Sequence, residues 1–269
     1  MKSRTIGNIK LVYSGKETET ADLIADTCEK AIQLAEENWG LRPPEDCRIY
    51  VMTSWFGFVF QSAPWRWRLL LAPTIPLWYA RIHRTWKYSA AWTQNYSGRI
   101  AIGVKPARLL EQSDRSIGVR MFVEEKDSNL NVQHVTCHEL VHACSAHLRL
   151  PMWLNEGIAT VTTDRFLGRP TIKEDTLKFM KDYLPKAAPP TYRKLSRMSG
   201  EAIAYHGSRG YWLVRYLEKE RPGFLKGMLA IRKDSNTIER NIAEELGIAP
   251  ESFWNEIDDI VADYFMNGT

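Results

Sequence analysis

Cys137-His138-Glu139-Leu140-Val141-His142, followed at short range by Trp153-Leu154-Asn155-Glu156-Gly157, is the stretch on which the reading of this chain turns. Residues four apart on a helix share a face and lie roughly 6 Å apart along its axis. His138 and His142 can therefore aim two imidazoles at one metal ion. Glu139 is turned by about 100° from His138, so it need not be a ligand. It can instead take a proton from water that the ion activates. A catalytic zinc keeps three protein ligands and one open position, so a third ligand is required. A pattern with Gly at 145 and His at 148 would supply one, but the chain has Ser145 and Leu148, and His147 is out of phase. Glu156 fits better. Thirteen residues separate it from His142, enough to end the helix, turn at Arg149-Leu150-Pro151 and return in a second helix from near Met152. The expected site is Zn2+ held by His138, His142 and Glu156, with Glu139 as general base.

The chain around this motif has an ordinary globular composition. It has 269 residues, 44% hydrophobic and 25% charged, enough for a well-buried core. Four scattered cysteines, Cys28, Cys47, Cys137 and Cys144, do not make a disulfide framework. Met1-Lys2-Ser3-Arg4-Thr5 lacks the apolar run of a signal peptide, so a cytoplasmic, reducing setting is the expectation.

Before the motif, Ile9 to Tyr13 reads as a strand, and Ala21 to Trp39 as an amphipathic helix stopped by Gly40. Cys47 to Met52 reads as a second strand. Residues 53–96 then depart from the rest. They hold Trp55, Trp65, Trp67, Trp78, Trp86 and Trp92, six of the ten tryptophans. No Asp or Glu occurs between Asp46 and Glu111, while nine Arg and Lys do, among them Arg66, Arg68, Arg81, Arg84 and Lys87. The remaining chain is net acidic, 27 Lys and Arg against 32 Asp and Glu. Gly57, Gln61, Pro64, Pro73 and Pro76 interrupt its apolar runs, so a membrane span is not expected. Three readings stand: a flap or hairpin packed into the domain, a peripheral membrane surface, or contact with an anionic partner. No specific nucleic-acid module accompanies the basic and aromatic residues.

Arg99 to Val104 alternates like a strand, and a helix is expected at Ala107 to Gln112. The metal helix is predicted at Leu130 to His147, with Cys137, Val141, Cys144 and Leu148 on its buried stripe. Cys137 sits about 100° from His138 and is read as core rather than ligand. His134, one turn before His138, is read as lining or orienting the site. Thr160 and Asp164 are candidates to hydrogen-bond a ligand. Further helices are predicted within Thr171 to Tyr183 and within Ile238 to Phe265, with a surface loop at Pro185 to Pro190.

His138-Glu139-Leu140-Val141-His142 followed by Pro151-Met152-Trp153-Leu154-Asn155-Glu156-Gly157-Ile158-Ala159-Thr160 resembles the gluzincin metallopeptidases, most closely the peptidase MA-like family. The resemblance extends over most of the chain outside residues 53–96, including the opening strand, helix and strand and the closing helix pair. It implies an α+β, zincin-like fold with a small mixed sheet, an active-site helix and a helical C-terminal subdomain. The expected division is 1–148, carrying the metal helix and an insert at about 53–96, and 149–269, carrying the third ligand. By the same resemblance, Arg99 to Val104 would be the edge strand that pairs with substrate. Glu201 to Leu217 resembles the family's helix that returns to the cleft, and on it Tyr205 would stabilise the oxyanion, with His206 and then Tyr211 as the other candidates. The implied activity is zinc-dependent hydrolysis of a peptide or protein substrate. An endopeptidase is favoured, because the Gly-x-Met-x-Asn block that grips a free amino terminus is absent. The competing expectation is a non-catalytic zincin scaffold that engages a membrane surface or anionic partner through residues 53–96.

Overall fold

The computed structural model describes residues 1–75, 79, 83, 86–113, 116, 118–184, 186–195, 197–231 and 235–267. The expectations resting on Pro76, Trp78, Arg81, Arg84 and Pro185 lie outside the described residues. The protein is mixed α+β and divides into two compact units. One comprises Met1–Gln33, Arg42–Arg115 and Glu125–Cys144; the other comprises Leu34–Leu41, Ser116–Glu124 and Ser145–Thr269.

The first unit is built on a five-stranded mixed sheet. Its strands are β1 (Lys2–Ile6), β2 (Ile9–Tyr13), β3 (Cys47–Val51), β4 (Ala91–Tyr96) and β5 (Arg99–Val104), in the order β1-β2-β3-β5-β4. β1 pairs antiparallel with β2, and β4 with β5; the two central pairings are parallel. The first hairpin turns at Gly7 (φ 54°) and the second at Ser97-Gly98 (φ 54° and 105°), left-handed positions that suit tight turns. Between β2 and β3 the chain crosses through the start of α1 (Thr18–Trp39). The core residues Ile9, Leu11, Ile49, Ile102 and Val104 are almost wholly buried. Arg99–Val104 is thus not an edge strand: it runs between β3 and β4, and Ala91–Tyr96 is the edge on that side.

The described residues of 53–96 are mostly helical rather than extended, and they pack against the sheet as a packed insert would. They form α2 (Trp55–Ser62), capped by the Ser54 side chain on the Gly57 amide, then α3 (Trp65–Leu71), and finally β4. Phe58, Val59 and Ala63 pack with Tyr50, Met52, Tyr96 and Ala101, and Trp55, Trp86 and Trp92 lie against that cluster. Gly103 makes room for it, since a Cβ there would fall 2.6 Å from Met52 Sδ and 2.9 Å from Phe58. A short helix α4 (Ala107–Glu111) follows, and then α5 (Ser128–Ser145), which buries Val132, Cys137, Leu140, Val141 and Cys144.

Among the described residues, the regular structure of the second unit is helical apart from one isolated bridge, Phe122 to Ile172. Its helices are α6 (Met152–Leu167), α7 (Asp175–Asp182), α8 (Tyr192–Leu195), α9 (Gly200–Glu220), α10 (Phe224–Ala230), α11 (Ser235–Glu245) and α12 (Phe253–Asn267). α6 and α9 meet glycine to glycine. A Cβ on Gly157 would stand 2.4 Å from the Gly210 carbonyl oxygen, and one on Gly210 would stand 2.3 Å from that of Trp153. The glycine directly after Glu156 is therefore a packing requirement. Gly168 (φ 70°) ends α6 in the left-handed conformation common at helix C-termini. Trp39, at the end of α1, is buried and donates from Nε1 to Thr162 Oγ1 at 2.7 Å. No helix among the described residues is long and apolar enough to cross a membrane.

Candidate metal centre

α5 carries His138, Glu139 and His142, all half-buried, above the buried face that anchors the helix. The imidazole Nε2 atoms of His138 and His142 stand 3.0 Å apart, and their rings meet edge to face with centroids 4.6 Å apart. Glu156, in the second turn of α6, is the third member. One ligand atom from each of His138, His142 and Glu156 lies within 4.8 Å of the other two, so the group could hold a metal ion.

Two polar partners of this group are not evident from the motif. Thr93, on the edge strand β4, donates from Oγ1 to Glu139 Oε2 at 2.5 Å. Tyr192, at the start of α8, donates to Glu156 Oε1 at 2.7 Å. Asn155 Nδ2 donates to the Tyr192 hydroxyl at 2.9 Å, and Ser145 Oγ donates to Asn155 Oδ1 at 2.6 Å. A line of hydrogen bonds thus runs from the buried Ser145 through Asn155 and Tyr192 to Glu156. Thr93 and Tyr192 lie 46 and 36 residues from their partners, beyond any local spacing rule. Asn155 had a weak signal, its place inside the Trp-Leu-Asn-Glu-Gly block.

The other sequence candidates have different roles. Tyr205 is fully buried, and its hydroxyl donates to Asp258 Oδ2 at 2.5 Å. Burial raises its pKa above the ordinary tyrosine value. Asp258 also receives Arg209 Nε at 2.6 Å, and the guanidinium further donates to the carbonyls of Ala187 and Trp254. His206, next along α9, is buried with its ring 4.8 Å from that of Tyr205. Burial, and then the Arg209 charge, push its pKa down to about 4. Tyr211 donates to Asp164 Oδ2 at 2.6 Å, and Asp164 also receives the amide and hydroxyl of Thr171. Thr160 donates to the backbone carbonyl of Glu156 at 2.9 Å, not to its carboxylate. His134 is half-buried on α5, and His147 is exposed beyond its end. Burial pushes the Cys144 and Cys28 thiols up to about 12, which leaves neither a thiolate at neutral pH.

Compared with known proteins, the chain matches no family model and no curated protein.

Proposed function

We propose that this protein is a zinc-dependent peptidase of the gluzincin type, with the zincin fold and the peptidase MA-like character that its motifs resemble. The convergence of His138, His142 and Glu156 is the observation that carries the reading. Two imidazoles and one carboxylate form a donor set suited to catalytic zinc. Zinc held there would polarise a peptide carbonyl and acidify water.

The chain's own residues supply the rest. Glu139 accepts a proton from the attacking water and returns it to the leaving amine. Thr93 occupies Oε2 of Glu139 and so orients the carboxylate, leaving Oε1 to receive the proton. Among the described residues no strand pairs with the outer side of β4, whose backbone groups would suit an extended peptide, a mode that binds main chain with little sequence preference and suits an endopeptidase. Tyr205 and His206 receive no oxyanion role in this reading. The Tyr205 hydroxyl is engaged by Asp258, and both side chains are shut away from water.

Metal analysis and peptide hydrolysis on wild type and Glu139→Gln test the proposal together. Both proteins should bind one zinc per chain, and the variant should lose roughly 10²–10⁴-fold in turnover. Zinc with equal hydrolysis, or with none in either protein, would leave a metal-retaining binding scaffold and sink the peptidase.

A further inference from the structure

α3 points its large apolar residues outward. Trp65, Leu69 and Leu70 are 65%, 66% and 65% exposed, against the ordinary logic of a packed helix. The opposite side explains how the helix stays in place. The Trp67 ring rests 6.1 Å from that of Tyr96, whose hydroxyl lies 3.2 Å from Ser62 Oγ. Arg68 folds back, donating to the carbonyls of Ala63 and Gln61 at 2.8 and 3.2 Å. The anchored face is thus Trp67 and Arg68, and the outward arc is Trp65, Arg66, Leu69 and Leu70. Arg66 lies over the Trp65 ring at 5.5 Å, placing a cation at the border of the apolar strip.

A second observation adjoins the first through Arg68. An open groove of about 550 Å³ is lined by Lys2, Lys10, Arg48 and Arg68 together with Tyr50 and Phe60, and no acid among the described residues lines it. Asp46 approaches Arg48 at 3.7 Å but is held more closely by Arg99, at 2.9 Å. An apolar strip of one tryptophan and two leucines beside a cationic groove matches the interface of an anionic bilayer, which is hydrocarbon next to phosphate. A nucleic acid would satisfy the groove but give the outward leucines nothing to bury.

We propose that this face docks onto membranes containing anionic phospholipid. Trp65, Leu69 and Leu70 enter the boundary between headgroups and acyl chains, and Lys2, Lys10, Arg48 and Arg68 receive a lipid phosphate. The proposal stands apart from the peptidase reading, since none of these residues belongs to the metal group.

Co-sedimentation with vesicles of phosphatidylcholine alone, or with one-third phosphatidylglycerol, tests it on the full chain. Wild type should pellet with the anionic vesicles only and be released by high salt. Lys2→Glu with Lys10→Glu, both at exposed strand positions, should weaken binding by at least about fivefold per cation removed. Trp65→Ser with Leu69→Ser and Leu70→Ser should abolish pelleting with an unchanged melting temperature, since these side chains pack on little. Failure of wild type to pellet, equal pelleting with neutral vesicles, or tighter binding to an oligonucleotide than to vesicles would overturn the proposal. The wild-type arms decide this even if a variant fails to fold.

Discussion

Arg209, Asp258 and Tyr205 form one polar cluster, and His138, His142 and Glu156 form another, from similar side chains. In the first, donors and acceptors are matched to one another. Asp258 takes the guanidinium Nε on one oxygen and a phenol on the other, and Nη1 and Nη2 each donate to one backbone carbonyl. Arg209 and Asp258 are each 1% exposed, and the guanidinium is stacked 4.4 Å from the Trp254 ring. In the second, the two imidazoles meet through their Nε2 atoms, Glu156 accepts from the half-exposed Tyr192, and all three groups remain half-buried. A cluster whose members complete one another has stability as its product. Ligand atoms gathered within 4.8 Å of one another could hold a cation. The difference teaches that resemblance in sequence does not fix a side chain's surroundings: Tyr205 and His206 lie in a segment that resembles the family, yet their environment is that of the first cluster.

The largest effect should come from breaking the closed cluster. Asp258→Ala leaves the Arg209 guanidinium buried without its counter-charge and should cost about 3–5 kcal/mol. Urea unfolding of the chelated protein would measure it, while zinc uptake by the protein still folded should be unchanged. A loss below about 1 kcal/mol would mean that the cluster is wetter than its geometry indicates, and the contrast would fail.

His206 sharpens the contrast through pH. Its folded pKa is pushed down to about 4 from an ordinary value of 6.5, by burial first and by the Arg209 charge second. The unfolded chain therefore binds the proton first as pH falls. The stabilisation is complete above pH 6.5 and is lost as pH falls through about 4, by roughly 3 kcal/mol at most. Beyond Arg209, the group facing it is Tyr205, whose raised pKa keeps it neutral throughout this window. The difference between wild type and His206→Gln in unfolding free energy should therefore change between pH 7 and pH 4. A constant difference would show that His206 is solvated.

How much of this was legible beforehand follows from the range of each interaction. The His138/His142 pair is local helical geometry, and Glu156 needed only a turn and a return. The edge strand was misassigned by resemblance, although the residues held the correction. Ile100-Ala101-Ile102-Gly103-Val104 is a continuous apolar run, which suits a central strand buried on both faces, while Ala91-Trp92-Thr93-Gln94-Asn95-Tyr96 has the polar character of an edge. α3 was not legible as a helix, because its apolar residues point outward and leave no inward stripe to read. The partners of Glu139, Glu156 and Tyr205 are 46, 36 and 53 residues distant, and no periodicity connects such positions.

The smallest effect tests whether the open cluster is itself held in place. Tyr192 is 44% exposed, so removing its hydroxyl should change stability by no more than about 0.5 kcal/mol. The same hydroxyl, however, donates to Glu156 and is fixed by Asn155, which is fixed in turn by the buried Ser145. A carboxylate released from such a support loses its preferred orientation, and ligand-supporting residues of this kind are worth about 10–100-fold in metal affinity. Tyr192→Phe should therefore weaken zinc binding by that factor in a chelator competition, with the melting temperature of the metal-free protein unmoved. Unchanged affinity with reduced hydrolysis would place the phenol on the substrate instead, and unchanged values of both would make its bond to Glu156 incidental.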